Sequence, residues 1–215
     1  MSLLEPVQGE PAALADVSGE TALVVADYHA GIERNYRREG IEITSRARER
    51  RERLLGLVEA ESVDRVVFLG DLGTSIGKPE GAELEELQAL GEALPVPVTL
   101  VPGNHDGRLG EVLECTVTAT SGAKLGRVGF AHGHSWPGSD PLSADILAVG
   151  HEHPCVRLED TVGGSRVEPV WLRGPVNSDP FASHLDPSHS GQADGIVVFP
   201  AFNDLAGGTW VNVEG

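Results

Sequence analysis

The chain has 215 residues, 40% of them hydrophobic, and a formal charge of −17 from 33 acidic against 16 basic side chains. That size and apolar content suit one compact domain, expected to span residues 1–215; no apolar stretch approaches the roughly 20 residues of a membrane-crossing helix, and Met1-Ser2-Leu3-Leu4-Glu5-Pro6 lacks the basic, apolar start of an export signal. The acidic balance argues against non-specific DNA binding at low salt, where affinity comes from neutralising phosphates, and argues less strongly at high salt.

Thr21–Asp27 is a short β-branched run and is predicted to be a buried strand. Thr44–Ala60 follows as a helix, with Thr44 and Ser45 as capping candidates and Ala47, Leu54, Leu55 and Val58 on one apolar face. Asp64–Gly70 is a second buried strand, Glu80–Leu94 a second helix and Val96–Val101 a third strand. Strand and helix thus alternate, which implies a parallel sheet with helices packed on it. The second half changes character. Val117–Thr120, Gly126–Ala131, Ile146–Val149, Val156–Glu159, Arg166–Arg173, Ile196–Phe199 and Thr209–Val213 are short runs between Gly and Pro, predicted to be strands with mixed or antiparallel pairing. Pro175–Asp194, rich in Ser, His and Pro, reads as a surface loop. The expected architecture is α/β (α+β): a four-layer αββα sandwich of two facing mixed sheets flanked by helices.

The chemistry-bearing residues gather where strands end. Asp27-Tyr28-His29 closes the first strand and Gly70-Asp71 the second; Gly103-Asn104-His105-Asp106 follows the third; His132-Gly133-His134 and Gly150-His151-Glu152-His153 follow two later ones. Six of the eight histidines fall inside these five pieces, so chance placement is a poor explanation. Carboxylate, imidazole and amide oxygens suit first-row divalent ions, and no Cys-x-x-Cys pair offers a thiolate site. The i, i+2 spacing of Asp27/His29 and of His151/His153 lets a short loop aim both members at one point. Gly70, Gly103 and Gly150 directly precede ligand candidates and allow tight turns there.

In their order, these pieces resemble the motifs of the calcineurin-like metallophosphoesterases: Asp-x-His, Gly-Asp, Gly-Asn-His-Asp/Glu, His and Gly-His-x-His. Arg38-Glu39-Gly40 and Pro154 bring the chain nearest to the ICC-like branch, which includes ligase-associated DNA-repair phosphoesterases. The resemblance implies a dinuclear site. One ion takes Asp27, His29 and His153, the other takes Asn104, His132 and His151, and Asp71 bridges them. It implies direct attack of a metal-bridging hydroxide on phosphorus, in a diester before a monoester, with nucleotides or nucleic acid among the candidate substrates. His105 then protonates the leaving oxygen or stabilises developing charge, and Asn104, His105, His134 and Arg38 contact substrate. Mn2+ leads the candidate metals, ahead of Fe, Zn, Ni and Co. Many members carry Asp or His three positions after the motif-two aspartate; here Thr74 stands there and supplies no charge to raise the pKa of His105.

Other readings compete with these. The fold could serve as a non-catalytic binding scaffold, as in the retromer subunit that shares it, though such loss of function is expected to show as missing ligands. Histidine and carboxylate ligands also suit iron or manganese oxygen chemistry. Asp106 either orients a neighbour or caps the next helix, Glu152 points to solvent, and His184 and His189 are surface residues. Cys155 is a small buried hydrophobe. Eight of the fourteen arginines lie between Arg34 and Arg53, interleaved with glutamates. They form either a solvated helix with pairs such as Glu49–Arg53 or a phosphate-contacting strip, for which Arg37 and Arg38 are the better candidates. Only Lys78 and Lys124 are lysine, which with the acidity fits a salt-rich cytoplasm such as a haloarchaeon's, against an ordinary acidic cytosolic protein. Two lone cysteines, Cys115 and Cys155, agree with a reducing cytoplasm.

Overall fold

Period-two alternation of small and large apolar residues organises the molecule. The computed structural model describes residues 3–177, 179–182, 184 and 193–213. The first sheet takes β1 (Leu4–Pro6), β2 (Ala12–Val17) and β3 (Glu20–Val25) as an antiparallel meander. The short helix α1 (Glu33–Arg38) and the longer α2 (Ala47–Ala60) follow, then β4 (Arg65–Leu69), α3 (Ala82–Ala93), β5 (Val98–Val101), a 3-10 turn at Leu109–Glu111 and β6 (Thr116–Val117). From β3 onward this sheet is parallel, in the order β1-β2-β3-β4-β5-β6.

The second sheet draws on β7 (Ala123–Leu125), β8 (Val128–Ala131), the single-turn helix α4 (Ser139–Leu142) beside it and β9 (Ile146–Val149). The chain then makes β10 (Pro154–Glu159), β11 (Ser165–Pro169), β12 (Leu172–Pro175), a short α5 (Asp179–Ala182), β13 (Gly195–Val198) and β14 (Thr209–Trp210). The second sheet has the order β12-β13-β9-β8-β7, parallel at its centre and antiparallel at both edges. A third, three-stranded sheet, β11-β10-β14, stands apart from it.

Alternate residues of each central strand serve two cores. Leu23, Val25, Val66, Phe68 and Leu100 face the helices α2 and α3, where Leu54, Leu57, Val58, Leu87 and Leu90 meet them. Ala22, Val24, Val67, Leu69 and Val101 face the second sheet and pack on Val128, Phe130, Ala148 and Phe199. A smaller apolar layer, with Leu142 and Leu147, covers the outer face of the second sheet. Helix, sheet, sheet and thin helical layer are therefore stacked as expected. Truncating the buried Phe68 or Phe130 to alanine would cost about 3–5 kcal/mol.

Several boundaries differ from the sequence reading. The helix predicted from Thr44 begins at Ala47; Arg46 precedes it without a side-chain cap, and only Ser45 Oγ accepts the Ala47 N–H, at 3.3 Å. Leu57 joins the buried face and Leu55 lies at its margin. Val117 belongs to the edge of the first sheet. Arg166–Arg173 is two strands, because the chain leaves one sheet at Pro169 and enters another at Leu172. The loop predicted over Pro175–Asp194 contains α5, and His189 lies outside the described residues.

Candidate metal centre

The loops after β3, β4, β5, β8 and β9 meet at one end of the two sheets, which is where ligands bind in sheet-based folds. Asp27, His29 and His153 offer atoms within 4.8 Å of one another, and so do Asp71, His132 and His151. Five of these six residues, Asp27, His29, Asp71, His151 and His153, hold left-handed backbone, with φ of 56°, 49°, 46°, 70° and 42°. Each such non-glycine conformation costs about 1–3 kcal/mol and persists only when its surroundings over-determine it. Two glycines explain how the loops approach so closely. A Cβ on Gly70 would penetrate the His132 ring, and one on Gly103 would meet the Asp71 carboxylate.

Backbone groups set the tautomers. His132 Nδ1 lies 3.0 Å from the carbonyl of Leu69 and His153 Nδ1 lies 2.9 Å from that of Gly207. Carbonyls only accept, so each Nδ1 donates its proton and each neutral ring turns a bare Nε2 into the site. His29 Nδ1 faces the Gly73 carbonyl at 3.4 Å, and its Nε2 is 3.4 Å from that of His153. Two imidazole nitrogens about 2.1 Å from a shared ion adopt that spacing. The carboxylates are held from one side: Asp27 Oδ2 accepts the His151 N–H and Asp71 Oδ1 accepts the His105 N–H, both at 3.0 Å. Asp27 Oδ1 and His132 Nε2 are buried without a hydrogen-bond partner. Unpaired buried groups of this kind are costly unless something else satisfies them. The donor set and its orphaned atoms fit divalent cations.

Proton affinities follow from the same crowding. Burial opposes ionisation of Asp71, but His132 and the His105 N–H hold its carboxyl down at about 2. Burial also disfavours protonation of His132 and His153; Asp71 and Asp27 outweigh it for the first, Asp27 for the second, and both pKa values rise. At His29, burial prevails and the pKa falls. Asp106, almost fully buried, is pushed up to about 6 by desolvation.

Residues 21–169 match the model of the calcineurin-like phosphoesterase superfamily domain. The chain belongs to that superfamily. No curated protein matches the sequence. Among solved structures, the Pseudomonas putida nuclease MPE shares the fold at a TM-score of 0.61, with 19% identity over 94% of this chain and 92% of that one. YfcE, a phosphoesterase from E. coli, matches at a TM-score of 0.37 with 22% identity, over 65% of this chain and 73% of its own. Membership of the superfamily points to hydrolysis of phosphoester bonds. Among the described residues no helix is long and apolar enough to cross a membrane.

The superfamily match runs from β3 to β11 and encloses every sequence-predicted ligand. Asn104 is exposed in the same loop as His105. His105 Nε2 is 3.9 Å from Asp71 Oδ2, its Nδ1 is buried without a partner, and its ring meets that of His29 edge-on. Thr74 does not orient it; its hydroxyl donates to the Ala30 carbonyl at 3.0 Å. His134 sits beside the second cluster, its ring 5.4 Å from that of His132 and 6.3 Å from that of His151. Asp106 does not cap a helix. Its carboxylate accepts the N–H groups of Leu72, Gly73 and Gly103, tying the second and third loops together. Glu152 is exposed, as expected, and Cys155 is buried.

The arginine-rich stretch is in part the solvated helix expected, with an exposed i,i+4 pair between Arg48 and Glu52 at 2.7 Å, but Arg50 and Arg53 depart from it. Arg50 is buried between Glu86, with bonds of 2.9 Å from Nε and Nη2, and Glu33 at 3.4 Å. Arg53 pairs with Glu10, in the β1–β2 connection, and with Asp204, and not with Glu49. Arg37 and Arg38 lie on α1 itself, exposed, one short turn beyond the first metal-site loop. One supporting residue carried no local signal: Asn203, buried, donates to the carbonyls of Tyr28 at 2.9 Å and His29 at 3.2 Å from far along the chain.

Proposed function

We propose that this chain is a two-metal phosphodiesterase working as a single unit over residues 1–215, with nucleotides or nucleic acid as its substrate class. The observation that carries the reading is the convergence of Asp27, His29 and His153, and of Asp71, His132 and His151, each set with ligand atoms within 4.8 Å of one another and with His132 Nε2 buried and unpartnered. Asp27, His29 and His153 would hold one ion and Asn104, His132 and His151 the other, with Asp71 available to both. Two such ions would supply Lewis acidity and a water of lowered pKa.

The protein's part is positioning. Carbonyls of Leu69 and Gly207 keep His132 and His153 in the ligating tautomer. Asp106 fixes the loop that carries Asn104 and His105 relative to Asp71. His105, at the rim, donates a proton to the leaving oxygen, while Asn104 and His134 bind the phosphoryl oxygens. Exposed Arg37 and Arg38 draw in an anionic substrate that the acidic surface would otherwise repel. The Pseudomonas putida protein that shares the fold is a nuclease by name, which makes nucleic acid the first natural substrate to try. The motif set favours the ICC-like branch, Mn2+ as the working ion and, with the acidic, lysine-poor composition, a salt-rich cytoplasm.

The test is hydrolysis of bis-p-nitrophenyl phosphate and p-nitrophenyl phosphate with Mn2+ in molar KCl, wild type beside Asp71→Asn, with bound metal quantified. Diester turnover in the wild type and its loss in the variant are expected. No turnover of either ester by fully metal-loaded protein would defeat the proposal.

A further inference from the structure

Two clefts adjoin the candidate metal centre, and they differ in charge. One, behind His153, is lined by Glu10, Glu168 and Asp204 against a single arginine, Arg53, which pairs with Glu10 and Asp204, and is net acidic. The other, of about 300 Å³, opens at His134 on the outer face of the second sheet and has no carboxylate among its described lining residues. Its floor is apolar, from Leu147, Val149 and Ile196, and Trp136 and Phe181 form its walls. The volume is at the small end of ligand pockets, enough for one ring-sized group.

Trp136 is presented to this cleft in an unusual way. Its ring stacks on His184 at 4.1 Å, meets Phe181 edge-on at 5.5 Å, and is still 48% exposed. His184 stacks on one face of the indole and is not among the described residues that line the cleft. An indole held between two rings and left half in water is already oriented for a third. His134 joins the cleft to the metal site: it lines the one and stands 5.4 Å, ring to ring, from His132 in the other.

We propose that this cleft binds a flat aromatic group of the phosphoester substrate, a nucleobase or an aryl ring, stacked on Trp136, with His134 marking the boundary between ring and phosphate. The inference rests on the phosphoesterase reading and deepens it by naming which part of the substrate is recognised apart from phosphorus.

Thymidine 5′-monophosphate, phenyl phosphate and inorganic phosphate distinguish the sources. Each is tested on the metal-loaded full chain, as wild type, W136A and W136F, by inhibition of bis-p-nitrophenyl phosphate hydrolysis and by quenching of tryptophan fluorescence. Stacking predicts that at least one aromatic monophosphate inhibits the wild type about tenfold more tightly than inorganic phosphate. W136A should lose that advantage and W136F keep most of it, while inhibition by inorganic phosphate stays the same in all three. Thymidine monophosphate binding tighter than phenyl phosphate names a nucleobase; the reverse names an aryl ester. Quenching in the wild type but not in W136F assigns the signal to Trp136, since Trp171 is packed on Phe199 and Trp210 belongs to β14. Equal inhibition by all three compounds in every variant, with turnover intact, overturns the cleft alone. Quenching without turnover overturns the phosphoesterase reading alone, and absence of both overturns the two together.

Discussion

Two buried charge clusters lie on opposite sides of the loop after β3, and they are built on opposite plans. On the helix side, Arg50 is enclosed by Glu33 and Glu86 above the Tyr28 ring. The remaining carboxylate capacity there is used: Glu86 accepts the Gly31 N–H and Glu33 the Arg46 N–H, each at 2.8 Å. On the strand-end side, Asp27 and Asp71 are as deeply buried, yet no arginine or lysine is paired with either among the described residues, and the group nearest Asp27 Oδ1 is another ligand candidate, His153 Nε2, at 3.1 Å. The carboxylates of the first cluster are satisfied by Arg50 and by backbone N–H groups, although the Tyr28 hydroxyl beside them has no partner. The second cluster gathers carboxylates and imidazoles without such a cation among the described residues, as the proposed metal site requires. Burial of charge by itself says little about function; the unfilled valence is what separates a structural ion pair from a binding site.

The largest contrast should come from breaking each plan at its centre. Asp71→Asn is expected to lower kcat/KM on a diester by on the order of 10³-fold while costing the apo protein less stability than the loss of Arg50, since only the carboxylate's interactions with His132 and the His105 N–H are weakened. Arg50→Met should do the reverse. Leaving Glu33 and Glu86 buried without their cation is expected to cost about 3–5 kcal/mol in denaturant unfolding, with metal content per folded molecule retained. That loss should depend on pH. Burial holds the Glu86 carboxyl above its ordinary pKa and Arg50 works against the rise. Without Arg50, Glu86 is raised further, so the folded state binds a proton the unfolded state has released. The variant should therefore gain more stability than wild type as pH falls from 7 towards 5.

Metal removal is the next effect in size. An ion at 100 times its dissociation constant stabilises the native state by about 2.7 kcal/mol, so chelation should lower the melting temperature of wild type, and Asp71→Asn should respond less. A melting temperature indifferent to chelator would place the second cluster with the first, as structure only. Smallest of all, Arg37→Ala with Arg38→Ala should reduce kcat/KM on a polynucleotide about threefold at low salt and negligibly in molar KCl, because exposed charges are screened. An equal loss at both salt concentrations would mean a direct contact in place of steering.

The two clusters were not equally legible in the sequence. Asp27, His29, Asp71, Asn104, His105, His132, His151 and His153 announced themselves through local spacing, since a loop at a strand end can present i and i+2 side chains together. The strands β3, β4, β5 and β9 were legible for the same reason, as uninterrupted β-branched runs. What escaped was set by distant partners. Arg50 looked like one more solvated arginine in a mixed-charge helix, because Glu33 and Glu86 come from two other helices. Asn203 supports the first loop from more than 170 residues away. The β1–β2 hairpin is short and Ala-rich, and its identity depends on pairing with β3. The single run Arg166–Arg173 hid a change of sheet that no periodicity marks. Trp136 carried no signal in the sequence, because its partners Phe181 and His184 come from a distant loop.

The left-handed backbone at Asp27, His29, Asp71, His151 and His153 has a consequence for anyone who tries to make this protein sturdier. A screen scored on heat resistance alone would favour glycine or asparagine at these positions, since either relieves the backbone without disturbing the cores beneath. Such a screen would enrich for robust, inert molecules. Selection for durability and selection for turnover should therefore pull in opposite directions at the same five codons, and a useful library would hold those codons fixed and vary the rest.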